Sequence, residues 1–252
     1  LGDPTLSGLG SVRFKEESEQ MTTDESPVWT GGALALADRM NRLGTETAFD
    51  VLARVHALRA QGKDIVSFGL GEPDFETPDH IKRACKTALD ENYTHYGPSQ
   101  GLPELRAAIG EYFSRTRRID AAPENVVVGP GAKPMLFSAM MALVNPGDEV
   151  IYPSPGYPIY ESVADWIGAV SVPARLTEES EWSYDIKALE ALITSKTRAI
   201  VLNSPHNPTG GMLLASDMEQ IARIAIENDL WVITDEVYSQ IVFDHPFASI
   251  LS

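Results

Sequence analysis

The sequence predicts an α/β protein whose mostly parallel sheet is sandwiched by helices. Several short runs are apolar almost throughout, as in strands that are covered on both faces. Each of these runs is separated from the next by a segment with the apolar spacing of a helix. The 252 residues are enough for one large domain, or for a domain and part of a second.

The first 70 residues predict an extension, a helix and a short strand. Residues 1–30 are rich in Gly, Ser, Thr, Asp and Glu and show no period, which predicts a flexible extension. A helix is predicted over Ala48–Gln61 and ends at Gly62. The run IVSFGL, at 65–70, then predicts a short strand.

Two further helices precede the main group of strands. The first follows Thr77-Pro78 and covers IKRACKTALDE, and the second runs from about Pro103 to Arg117. Cys85, the only cysteine, lies in the first of them. No intramolecular disulfide is possible, and we expect this thiol to be a small apolar filler.

The rest of the chain alternates strands and helices. Strands are predicted in NVVVG, EVIYP, AVSVPA, RAIVLN and WVITD, and helices in KPMLFSAMMALV, YPIYESVADWIG and SDMEQIARIAIEN. The last helix is expected to open with the capping box Ser216-x-x-Glu219. Since ligands bind at the carboxyl ends of parallel strands, the residues that follow each strand are the site candidates.

Composition excludes several classes of partner. Acidic residues outnumber basic ones 36 to 20, and the formal net charge of −16 repels nucleic acid and anionic membranes. No apolar run approaches the ~18 residues that span a bilayer. The first residues lack the basic and apolar regions of a secretory signal, so a cytoplasmic location is expected.

Two strand ends indicate a flat, anionic ligand. The turn Gly129-Pro130-Gly131-Ala132-Lys133 leads directly into a helix, whose free amides and dipole favour a phosphate. The alternative is a tight turn without a ligand. Tyr157 follows the next strand, where a flat ring could stack on it, unless it is simply a surface or core tyrosine.

Two more strand ends carry polar side chains. In NSPHNPTG, prolines and a glycine form a rigid turn from which Asn207 can project its amide. His206 has no second ligand at metal-binding spacing. Asp235 ends the strand WVITD and requires a positive partner, or else caps the next helix. A metal shared by Asp235 and Glu236 is not expected, because adjacent strand residues face opposite ways.

Four motifs occur in a characteristic order. They are Gly71-Glu72-Pro73-Asp74-Phe75, Tyr96-Gly97 leading to Gly101-Leu102-Pro103-Glu104-Leu105-Arg106, Asn207-Pro208-Thr209-Gly210, and Asp235-Glu236-x-Tyr238. From about Thr47 to Ser252 the chain resembles the class I/II aminotransferases, which are pyridoxal-phosphate-dependent enzymes of the aspartate aminotransferase fold type. The resemblance implies an arm and part of a small domain over 31–72, and an incomplete large cofactor-binding domain over 73–252.

The resemblance also implies roles for individual residues. Gly131, Ala132 and Lys133 would form the turn under the cofactor phosphate, and Tyr157 would stack on the pyridine ring. Asn207 and Tyr238 would bond the phenolic oxygen of the ring, and Asp235 would pair with the ring nitrogen. Gly71 and Asn207 would lie beside the substrate, while Tyr96 would reach the phosphate in the partner subunit of a homodimer.

The sequence departs from the family pattern in two places. Ala132 stands where a second glycine is common, which is tolerable if its φ is negative. The Schiff-base lysine is expected beyond Ser252, so no catalytic residue is assigned. The implied activity is amino transfer between an L-amino acid and a 2-oxo acid, in amino acid metabolism. Alternatives are a pyridoxal-phosphate-dependent carbon–sulfur β-lyase and a truncated, non-catalytic chain.

Overall fold

A computed structural model describes residues 35–44 and 47–252 of the chain. Its strands are β1 (Glu149–Ser154), β2 (Val170–Arg175), β3 (Thr197–Asn203) and β4 (Trp231–Asp235). They form one parallel sheet in the order β2-β1-β3-β4, which confirms the predicted fold class. The order places the ends of β1, β3 and β4 side by side.

The described part of the chain contains seven α-helices. They are α1 (Thr47–Ala60), α2 (Asp79–Asp90), α3 (Pro103–Arg117), α4 (Ala132–Leu143), α5 (Ile159–Ile167), α6 (Ile186–Ala191) and α7 (Ala215–Glu227). Of these, α4, α5, α6 and α7 pack against the sheet. Short 3-10 helices cover Asp38–Arg42, Pro123–Asn125 and Glu178–Ser180. The predicted helices are confirmed to within a few residues, and Gly62 follows the end of α1 with a left-handed φ of +80°.

Alternate residues of the central strands β1 and β3 enter two separate cores. On one face, side chains such as Val150 and Val201 pack against Met140 of α4 and Val163 of α5. On the other face, residues such as Ile151, Ile200 and Leu202 pack against Leu189 of α6 and Ile221 of α7. This explains why β1 and β3 are largely apolar, because both of their faces are buried.

Two predicted strands are wrong. The segments IVSFGL (65–70) and NVVVG (125–129) pair with no strand of the described chain. Val66, Phe68 and Val127 are 77%, 95% and 56% exposed. An apolar run becomes a strand only where a neighbouring strand takes its backbone hydrogen bonds, and here Val128 N bonds the loop carbonyl of Gln100 at 2.9 Å.

Two smaller expectations also need correction. Cys85 is exposed on α2 rather than buried, because the apolar face of this helix is not covered in the described chain. The capping box is displaced, because α7 begins one residue earlier than predicted. The carboxylate of Asp217, not that of Glu219, accepts a hydrogen bond from the Leu214 amide at 3.0 Å, and Ser216 lies inside the first turn.

The predicted extension over 1–30 lies outside the described residues. All the helices and strands above belong to one compact unit, Ala37–Ser252. None of the described helices is long and apolar enough to cross a membrane. The division into 31–72 and 73–252 stays a prediction.

Candidate functional site

A cavity of about 940 Å³ opens at the carboxyl ends of β1, β3 and β4. Its walls include residues that follow these strands, among them Tyr157, Asn207, Asp235 and Tyr238. Gly71 reaches it from the segment before α2. The cavity therefore lies where the topology of a parallel sheet places a ligand.

The start of α4 forms one end of this cavity. Gly131 precedes the helix with φ +98° and ψ 170°, a conformation that side chains rarely adopt, and a Cβ added there meets no atom within 4 Å. Ala132 is the first helical residue, so the common glycine is not required at that position. The first turn of α4 contains no acidic residue. Its free amides and dipole can therefore hold an anion.

An aromatic wall lies beside this anion site. The half-buried ring of Tyr157 contacts Tyr160 edge-to-face, with centroids 5.9 Å apart and planes at 82°. The Nζ of Lys133 lies 5.6 Å from the centroid of Tyr157 and 5.3 Å from that of Phe49. The wall thus combines flat apolar surface with a positive charge, which suits an aromatic anion.

A fixed carboxylate faces the same cavity. Asp235 Oδ2 accepts a hydrogen bond of 2.9 Å from the Tyr160 hydroxyl, and Oδ1 accepts one of 3.3 Å from the Val237 amide. Burial raises the pKa of Tyr160, and the charge and hydrogen bond of Asp235 raise it further. Tyr160 therefore stays a donor at every physiological pH and holds the carboxylate in one orientation.

The neighbouring carboxylate serves the fold instead. Glu236 turns away from the cavity and pairs with Arg117 of α3 at 2.8 Å. Its other oxygen accepts a hydrogen bond of 2.6 Å from the Ser249 hydroxyl. Both partners of the ion pair are almost fully buried. Asp235 and Glu236 hence point apart, as the alternation of strand side chains predicts.

The family model for aminotransferase class I and II matches residues 63–252. The chain belongs to this family. Its members are pyridoxal-phosphate-dependent enzymes.

Individual relatives agree with this assignment. The chain is 40% identical over 208 residues to an aspartate aminotransferase of Musicola paradisiaca, covering 82% of the chain and 52% of the relative. It is 39% identical over 212 residues to an aspartate aminotransferase of Pyrococcus abyssi, covering 84% and 54%. A solved aspartate aminotransferase of Thermus thermophilus with maleate matches with a TM-score of 0.84 at 36% identity, over 86% of this chain and 57% of that one. The chain spans about half the length of these relatives.

The cavity also contains two residues that the sequence did not predict. Tyr160 lies three positions after Tyr157 in the helix predicted for YPIYESVADWIG, and that spacing could have placed both rings on one face. Asn203 lines the cavity at the end of β3 and is 2% exposed. Its contact with Asp235 depends on strand register, which the sequence alone does not reveal.

His206 lies next to the cavity rather than in it. Its Nδ1 lies 2.8 Å from the Thr209 hydroxyl, and burial lowers its pKa to about 4. Its Nε2 is buried without a hydrogen-bond partner among the described residues. His206 is therefore neutral and holds the turn that presents Asn207. No cluster of His, Cys, Asp and Glu within residues 35–44 and 47–252 could hold a metal ion.

Tyr96 is the one predicted site residue that does not line the cavity of its own chain. Its side chain is fully exposed. The other predicted residues are brought together: Gly71, Gly131, Ala132, Lys133, Tyr157, Asn207, Asp235 and Tyr238. The arrangement offers amides for an anion, a ring for stacking and a carboxylate for a cationic nitrogen, and this set of donors and acceptors fits pyridoxal phosphate.

Proposed function

We propose that the whole protein transfers an amino group between an L-amino acid and a 2-oxo acid, with pyridoxal phosphate as its cofactor. One observation carries the proposal. A carboxylate fixed by Tyr160 shares a cavity with a helix N-terminus and an aromatic ring. These are the three groups that a phosphorylated pyridinium ring requires.

Each group of the cavity has a proposed role. The turn formed by Gly131, Ala132 and Lys133 would hold the phosphate, and Tyr157 would stack on the ring. The donors would be the Ala132 and Lys133 amides, because the Gly131 amide already donates to the Gly129 carbonyl at 2.9 Å. Asn207 and Tyr238 would donate hydrogen bonds to the phenolic oxygen.

Asp235 would supply the electrostatic contribution to the chemistry. When bound, pyridoxal phosphate withdraws electrons from the α-carbon of the amino acid as that carbon loses its proton. A negative charge beside the ring nitrogen keeps this nitrogen protonated and so deepens the withdrawal. The Tyr160 hydroxyl fixes the carboxylate in advance, so little reorganisation is needed.

We propose aspartate as the amino donor. The relatives and the solved structure described above are named aspartate aminotransferases. The ammonium of Lys133 adds a positive charge to the cavity wall, which favours a substrate with a second carboxylate. Gly71, which also lines the cavity, would lie beside the α-carboxylate.

A cytoplasmic homodimer completes the proposal. The exposed Tyr96 supports the dimer, because a side chain that does not line the cavity of its own chain is available to the cavity of a partner subunit. Light scattering of the whole protein tests the assembly, and a monomer with full activity would overturn it.

Spectroscopy and turnover of the whole protein test the function. We expect an absorbance band of bound pyridoxal phosphate and 2-oxo-acid-dependent consumption of aspartate. Absence of the band would overturn the cofactor assignment. Release of pyruvate and thiol from cystathionine, without 2-oxo-acid-dependent turnover, would show a β-lyase. An in-frame lysine-bearing segment past codon 252 would favour either enzyme, the aminotransferase or the β-lyase, over a truncated, non-catalytic product.

A further inference from the structure

A single buried amide connects two walls of the cavity. The Oδ1 of Asn203 accepts a hydrogen bond of 2.8 Å from the backbone amide of Asn207. Its Nδ2 donates to the carbonyl of Asp235 at 3.0 Å and to that of Pro205 at 3.3 Å. Three of its hydrogen-bonding positions are thus used within the protein, and the side chain is nearly inaccessible to solvent.

The strand register makes this connection possible. Asn203 and Asp235 are the last residues of β3 and β4 and lie opposite each other in the parallel ladder. Beyond them the two chains diverge, one into the turn that carries Asn207 and the other towards Tyr238. The Asn203 side chain bridges the chains at the point where the backbone ladder ends.

We propose that Asn203 is a positioning residue. It binds the backbones of Asn207 and Asp235 and so sets the distance between the side-chain amide of Asn207 and the carboxylate of Asp235 in the cofactor cavity. The proposal rests on the proposed function. In pyridoxal phosphate the ring nitrogen and the phenolic oxygen are held at a fixed separation by the ring. Two protein groups that bind both atoms need a matching, rigid separation, and a fully bonded buried amide provides one.

Asparagine suits this role better than aspartate. A carboxylate at position 203 keeps the acceptor for the Asn207 amide but loses both donors, and it places an oxygen against the Asp235 carbonyl. Asn203→Asp therefore breaks the connection to Asp235 and spares the connection to Asn207. Asn203→Ala breaks both.

Binding of pyridoxamine 5′-phosphate to the whole protein, freed of its own cofactor, tests the proposal. This probe has the ring, phosphate and phenolic oxygen but no aldehyde, so it does not react with surface lysines. We expect Asn203→Ala and Asn203→Asp each to weaken binding about tenfold or more, the second because its buried carboxylate is repelled by the Asp235 and Pro205 carbonyls.

Ser204→Ala is the matched control. Ser204 is equally buried, and its hydroxyl accepts a hydrogen bond from the Leu213 amide at 3.0 Å, away from the cavity. We expect this variant to lower the midpoint of thermal unfolding but to leave the dissociation constant of the probe unchanged. An equal loss of affinity in Ser204→Ala would overturn the proposal, because general destabilisation would then explain the effect.

A double-mutant cycle separates positioning from a merely structural role. If Asn203 acts through Asp235, Asn203→Ala should weaken binding much less in an Asp235→Ala background. Equal losses in both backgrounds would contradict the proposal, as would wild-type affinity in a folded Asn203→Ala chain. If both Asn203 variants fail to fold while Ser204→Ala folds, Asn203 serves the fold and the proposal is wrong. Failure of the wild-type chain to bind the probe would instead overturn the proposed function.

Discussion

The Tyr160 hydroxyl donates a hydrogen bond of 2.9 Å to Oδ2 of Asp235, from a helix on one face of the sheet to the end of its edge strand. Tyr160 is 1% exposed, so the bond is shielded from water. A hydrogen bond to a charged group is stronger than one between neutral groups. Asp235 is consequently presented to the cavity in one orientation.

Tyr160→Phe tests this orientation. We expect the variant to bind pyridoxamine 5′-phosphate about 3- to 10-fold more weakly, because a carboxylate held only by the 3.3 Å bond from the Val237 amide is less well aligned with the ring nitrogen. Tyr184→Phe is the control, since the buried hydroxyl of Tyr184 donates a hydrogen bond of 2.9 Å to the Val201 carbonyl from the other face of the sheet. Isothermal titration measures both variants. Equal affinity of Tyr160→Phe and Tyr184→Phe would show that the orientation of Asp235 does not matter.

Gly131→Ala should weaken phosphate binding. A side chain at φ +98° and ψ 170° costs about 1–3 kcal/mol, so the turn before α4 would rearrange and move the amides. Gly62→Ala is the control. Gly62 also has a positive φ, but it follows α1 and does not line the cavity. We expect both variants to lose stability in urea titrations and only Gly131→Ala to lose affinity for pyridoxamine 5′-phosphate. Unchanged affinity would exclude this turn as the phosphate site.

The ion pair of Arg117 and Glu236 should matter for stability. Arg117→Met leaves a buried, unpaired carboxylate and is expected to cost about 3–5 kcal/mol in the free energy of unfolding. Lys82→Met removes the exposed pair with Asp79 and should cost less than about 0.5 kcal/mol. Denaturant unfolding measures both changes. A similar cost for the two substitutions would show that burial of the Arg117 pair is unimportant.

His206 predicts a pH dependence. Its pKa in the folded chain is about 4, below the ordinary value of 6.5, so between these values the unfolded chain binds more protons. Stability should therefore fall as the pH falls from about 6.5 to about 4. His206→Gln removes this contribution and should flatten the curve in that window, while carboxylate titrations affect both proteins. Identical slopes of unfolding free energy against pH would contradict the assignment.

The sequence predicted six of the seven described α-helices, all but the short α6, and the four paired strands, because their signals are local. Pro103, Gly62 and the apolar spacing mark helix ends and faces within a few residues of chain. The segments 65–70 and 125–129 carried the same apolar signal but no partner strand, and pairing is not encoded in a single segment. Asn203 was missed for the same reason, since its role depends on its register with Asp235.

The central claim is that Asp235 makes this cavity a pyridoxal phosphate site, and Asp235→Asn tests it most directly. Asparagine keeps an oxygen for the Tyr160 hydroxyl but removes the charge that would face the ring nitrogen. We predict that the whole protein, freed of its own cofactor, binds pyridoxamine 5′-phosphate and that its Asp235→Asn variant binds it at least about tenfold more weakly, while inorganic phosphate competes equally well in both. Equal affinity of the two proteins for pyridoxamine 5′-phosphate, or no binding by the wild-type chain, would contradict the claim.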